Sequence, residues 1–145
     1  MTAHSEDLVR AFHEAGHAVA GWRLGAELRQ VTIERGHNHH GIVCVHLPAQ
    51  LVGPSSVVFQ LCGGIAERTA FPHSDWRAHS EADLAHVAQI FARDPGHPER
   101  ARLERMAARL VAEDWQRIED VAHLLLARRT LDGAVLEATL DSTWA

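Results

Sequence analysis

Lysine is absent from this 145-residue chain, and all 14 basic residues are arginine. Against 19 acidic residues they leave a formal net charge of -5. No general electrostatic pull toward nucleic acid or an anionic membrane is therefore expected. Cysteine is scarce: Cys44 and Cys62 each lie inside an apolar stretch. They read as buried small hydrophobes, not as a disulfide framework or a ligand pair. With no such framework and no secretory leader pattern, the expected setting is a reducing cytoplasm. Apolar runs all fall far short of the ~20 residues needed to cross a bilayer, so no membrane segment is expected.

The remaining composition, 46% hydrophobic and 23% charged, is that of a globular chain, and the length suits one domain over residues 1–145. The number that stands out is twelve histidines.

Ser5, followed by Glu6 and Asp7, marks a helix start. Leu8, Phe12, Ala15, Val19 and Trp22 then recur at helical spacing, and Gly25 is a stop. Short alternating runs at 31–33 and 42–47 predict two strands joined as a hairpin across the loop ERGHNHHG. Pro48 and Pro54 bracket a loop. Ser55 or Ser56 can cap a second helix to Phe71, 72–78 is irregular, and Ser80 can cap a third helix to Arg93. Residues 98–129 predict one long helix or two joined near Asp114, with an apolar stripe of Met106, Leu110, Val111, Ile118, Val121, Leu124 and Leu125. A last helix covers 133–140. The fold class is mainly α, of the α+β kind, with a small sheet or hairpin between the first and second helices.

Inside the first helix stands HEAGH, from His13 to His17. Residues four apart share a helix face, so two imidazoles can aim at one metal ion. Zinc accepts such ligands at ~2.0–2.1 Å. Glu14, beside the ligands and not between them, can act as general base on the water that a metal there would activate. Such a site needs a third protein ligand. Asp83, Glu67, His73, His79 and His86 are all candidates. Spacing does not choose among them, although a carboxylate, Asp83 or Glu67, is favoured. The histidines of the loop, His37, His39 and His40, read as a solvated loop with opportunistic metal affinity.

The stretch AFHEAGHAVAGWRLGAELRQVTIERG resembles the metalloprotease domain of the FtsH family, membrane-anchored ATP-dependent zinc proteases. Matching elements follow in order: Val31, Thr32, Ile33, Arg35 and Gly36; then Gly41 to Val45 with Leu47 and Pro48; then Gly63, Gly64, Ile65, Ala66 and Glu67; then Ser80 with Asp83 and Leu84; and finally LLARRTLDGAVLEATL. The resemblance implies Zn2+ held by His13, His17 and Asp83, with Glu14 as catalytic base. Glu67 becomes a neighbour that orients a ligand or a helix residue with a structural partner. His86, one turn after Asp83, reads either as a residue that backs the site or as an exposed helix position. The paired Gly63 and Gly64 weaken a helix by ~1 kcal/mol each, which points to close helix packing.

Departures from the family are plain. Ile65 replaces the arginine of the family's GGRAAE segment. The chain holds no phosphate-binding GxxxxGK[ST] motif, so ATP-driven unfolding does not carry over. The expected activity is hydrolysis of unfolded proteins or peptides, with a separate ATPase as a conceivable delivery partner and a homo-oligomer left open. The alternative is a peptidase-fold adaptor that keeps its metal without turnover.

Overall fold

The computed structural model describes residues 3–34, 44–46, 53–93 and 100–142. Its elements run α1 (Ala3–Arg23), β1 (Glu27–Thr32), β2 (Cys44–His46), α2 (Pro54–Ala70), α3 (Trp76–His79), α4 (Glu81–Arg93), α5 (Arg100–Glu113), α6 (Trp115–Arg128), β3 (Thr130–Asp132) and α7 (Gly133–Ser142). The architecture is mainly helical with a small antiparallel sheet, as the sequence patterns indicate. The loop carrying His37, His39 and His40 lies outside the described residues, as do Ile42 and Leu47.

The organising element is α1. Every residue from Ala11 to Gly21 is buried, because the helix is enclosed on all sides. It packs against α2 and α6, and α2 in turn carries α5 and α4. Small residues on α1 let α2 approach closely. A Cβ added at Gly16 would stand 2.5 Å from the Cys62 carbonyl oxygen and 2.7 Å from the Ala66 Cβ. This crossing fixes the depth at which the flanking His13 and His17 face α2.

β1 and β2 pair antiparallel as expected, through Glu27–His46 and Leu28–Val45, and the sheet extends beyond that pair. It has three strands in the order β2-β1-β3, with β3 pairing antiparallel to β1 through Gln30–Asp132, Val31–Leu131 and Thr32–Thr130. A three-residue strand is too short for alternation to be read, and its pairing depends on α6 returning the chain to β1. The Thr32 and Thr130 hydroxyls meet at 2.7 Å across that pair. β1 also starts earlier than expected, at Glu27.

Helix boundaries shift for local reasons. α1 begins at Ala3, so Ser5 lies within its first turn. α2 begins at Pro54, with Gly53 at φ 63° as the residue before it. Proline suits the first helical turn, where its missing N–H has no partner to lose. Ser80 stands between α3 and α4, and its carbonyl accepts from the Leu84 N–H at 2.8 Å. Its hydroxyl does not cap α4: it is buried without a hydrogen-bond partner among the described residues.

The helical stretch after Pro98 divides at Asp114, one of the two expected forms. Asp114 is buried, and its carboxylate accepts from Arg117 at 2.7 Å and from Arg23 at 3.1 Å, which joins α1 to the α5–α6 junction. Of the expected apolar stripe, Val111, Ile118, Val121 and Leu125 are buried, and the departure lies in α5. Leu103, Ala107 and Val111 are buried, four residues apart, while Met106 is 48% exposed. α6 ends at Arg129, whose φ of 68° is the left-handed value usually given to glycine. Its guanidinium bonds Asp7 and Glu34, which offsets the backbone cost.

Candidate metal centre

Positions 13 and 17 point to one spot because α1 is helical through both. Their ring centroids are 5.0 Å apart, and His13, Glu14 and His17 are each 5% exposed. Asp83, in the first turn of α4, brings a carboxylate from 70 residues away in sequence. Its Oδ2 stands 3.2 Å from His13 Nε2 and 3.0 Å from His17 Nε2. Of the sequence candidates for a third position, Asp83 is the one that closes the cluster, and the three ligand atoms lie within 4.8 Å of one another.

The far nitrogens of both rings are committed. His13 Nδ1 donates to Glu67 Oε1 at 2.9 Å, and His17 Nδ1 donates to the Phe59 carbonyl at 3.1 Å. In the neutral imidazole the other nitrogen then carries a lone pair. Two such lone pairs converge on an ionised carboxylate oxygen, so three acceptors face one another without a donor. A cation resolves that arrangement; two doubly protonated rings are the metal-free alternative. Bonds of about 2.0–2.1 Å at tetrahedral angles set ligand atoms roughly 3.3 Å apart, close to the spacings found. His13, His17 and Asp83 therefore form a cluster able to hold a metal ion.

Glu67 is fully buried, and its second oxygen accepts from His79 Nδ1 at 2.7 Å. The carboxylate is thus fixed at both ends, and it orients His13 from behind without taking a ligand position. His86, the other residue expected to back the site, is exposed on α4 and does not line the cleft. It lies on the outward face of a helix whose buried residue is Val87. The role falls instead to His79, which the sequence offers only as a candidate ligand. The exposed His73 does not line the cleft either.

Burial dominates the electrostatics, and it is opposed to different degrees. It pushes the Glu14 carboxyl up to about 8, against partial opposition from the charges of His17 and Arg10. At Asp83 burial acts in the same sense but is outweighed by the hydrogen bonds of His13 and His17, which hold the carboxyl well below its usual range. Glu67 is likewise held down, since bonds from His13 and His79 exceed its burial cost. Burial works to lower His13, yet the bonds to Asp83 and Glu67 raise it overall.

The glycine pair in α2 serves packing, as its sequence position suggests. A Cβ at Gly63 would collide with His17 Nε2, and one at Gly64 would stand 2.6 Å from Ser80 Oγ. The His17 imidazole thus lies flat on a helix surface that has no side chain. Gly63→Ala is expected to push that ring aside and weaken any metal binding by about 10- to 100-fold, the scale of a misoriented ligand. Helicity should hold or rise, because alanine favours a helix by ~1 kcal/mol over glycine. Competition with a chromophoric chelator, alongside far-ultraviolet circular dichroism, measures both.

A cleft of about 1030 Å³ opens over the cluster, with Glu14, Arg10, Phe59, Gln60 and His79 in its lining. Glu14 reaches the cleft from the same helix face as the two histidines and makes no hydrogen bond to the ligand atoms among the described residues.

No known protein-family model matches this chain, and no curated protein matches it in sequence.

Proposed function

We propose that this chain is a zinc metallopeptidase that hydrolyses peptide bonds in unfolded proteins or peptides, with a catalytic domain of the FtsH type. The observation that carries the reading is the Asp83 oxygen standing between two histidine lone pairs while a buried, uncommitted Glu14 lines the same cleft. Two imidazoles and one carboxylate are a donor set suited to zinc with a position left open. His13 and His17 would bind through Nε2 and Asp83 through Oδ2. Zinc so held would supply Lewis acidity toward a scissile carbonyl and a water.

The protein's own groups do the rest. Glu67 and the Phe59 carbonyl hold the imidazoles in the tautomer that presents Nε2 to the cleft. Glu14, free of ligand contacts, accepts the proton of the attacking water and delivers it to the leaving amine; the charge of a bound cation beside it favours the carboxylate, which burial disfavours in the metal-free fold. Its burial keeps the proton local until the C–N bond breaks. A separate ATPase could deliver folded substrates. Cys62 is a buried free thiol, which fits a reducing cytoplasm. Among the described residues no helix is long and apolar enough to cross a membrane.

The test is incubation of zinc-loaded protein with a reduced, alkylated protein substrate. Cleavage that a chelator stops and zinc restores is the expected result. Stoichiometric zinc without turnover on any unfolded substrate would point instead to a binding module.

A further inference from the structure

Among the described residues that line the cleft, Arg10 is the one permanent cation. It stands three residues before His13 and four before Glu14, so it shares their face of α1. Its Nη1 donates to the Ile33 carbonyl at 3.0 Å, which ties the side chain to the end of β1. Some other arginines of the fold are engaged by carboxylates: Arg23 and Arg117 by Asp114, Arg129 by Asp7 and Glu34. Arg10 has no carboxylate at ion-pair distance among the described residues. It is half-buried and tethered by one bond, while a guanidinium has five N–H donors.

Glu6, Asp75 and Glu81 also line the cleft, but all three are exposed, where water and salt screen them. Half-buried Arg10 is screened less. Its charge is felt at Glu14, so it stands near the reacting region without entering the ligand set. A guanidinium pairs best with a carboxylate, through two parallel N–H···O bonds.

On the peptidase reading of the site, we infer that Arg10 positions the substrate by binding a peptide carboxylate close to the scissile bond. The favoured substrates then carry an acidic side chain at that place or present their C-terminal carboxylate there.

Peptides of one sequence test this: one with glutamate beside the cleavage point, its glutamine counterpart, and the glutamine peptide with a free or an amidated C-terminus. The wild type is expected to favour a carboxylate by about ten- to a hundredfold in kcat/KM, the range of a charge-assisted hydrogen bond. Glutamate over glutamine identifies the side chain as the source; free over amidated identifies the terminus. In Arg10→Gln the preference should collapse to within about twofold, and Arg10→Lys should keep part of it. Each ratio is taken within one protein, so effects of the substitution on Glu14 or on folding divide out.

The same peptides, labelled, are then titrated by fluorescence anisotropy into zinc-loaded Glu14→Gln protein with and without Arg10→Gln. Cleavage with no carboxylate preference, or a preference that survives Arg10→Gln, overturns the assignment and leaves the peptidase reading intact. Arg10-dependent binding of the carboxylate peptides without any cleavage by the wild type upholds Arg10 as the carboxylate site and removes the peptidase reading.

Discussion

Under the proposed peptidase function, Glu14→Gln is expected to lower kcat/KM on an unfolded protein by about 10²- to 10⁴-fold, the usual contribution of a positioned general base. Zinc content should stay at the wild-type level. Glutamine keeps the shape of the side chain and fills the same buried space, so His13, His17 and Asp83 should stay in register. What it loses is the ability to take a proton. Because the ligand set contains none of the Glu14 oxygens, metal binding and turnover can be separated at this one residue. Equal rates for the variant and the wild type would remove Glu14 from the mechanism.

The metal-free protein is expected to lose stability between pH 6 and pH 8, while the stabilisation gained on adding zinc grows over the same interval. Glu14 has an ordinary value near 4.5 and about 8 in the fold. The folded state therefore holds a proton that the unfolded state has released, and stability falls as pH rises through that window. His13, raised above 6.5, adds in the same direction: its contribution is complete below 6.5 and is lost as pH passes its folded value. Asp83 and Glu67 are held low, so their contributions fade only as pH falls below the carboxylate range. From pH 6 to 8 Glu14 alone accounts for roughly 2 kcal/mol, or about 4–8 °C in Tm for a chain of this size. Zinc needs the Nε2 lone pairs, so its affinity climbs as protons leave. Thermal melts of chelator-treated and zinc-loaded protein at several pH values measure both trends, and Glu14→Gln should flatten the metal-free one. A metal-free Tm that holds level or rises from pH 6 to 8 would contradict the account.

The half of the site that lies on one helix was legible in the sequence. His13, Glu14 and His17 follow from a four-residue spacing in a segment with helical periodicity, and α1 bears that out. The remainder depends on packing between elements. Asp83, Glu67, His73, His79 and His86 were equivalent by spacing. Only the close α1–α2 crossing at Gly16 and the seat of α4 against α2 bring Asp83 between the two rings. His86 lies one helical turn from Asp83 yet faces outward, while His79, on the short α3 that had read as irregular chain, turns onto Glu67. The glycine pair was readable as a packing device, but not that Gly63 makes room for a ligand ring. β3 was missed because three residues show no period, and its pairing partner lies about a hundred positions earlier.

The central claim is that His13, His17 and Asp83 hold one metal ion, and zinc per chain measures it most directly. Untagged wild-type protein and Asp83→Ala should be purified side by side and assayed by elemental analysis after extensive dialysis. The account predicts close to one zinc per wild-type chain and a clear loss in the variant, with the helical content of both alike. A wild type that retains no zinc, or an Asp83→Ala protein that retains as much as the wild type, would contradict it.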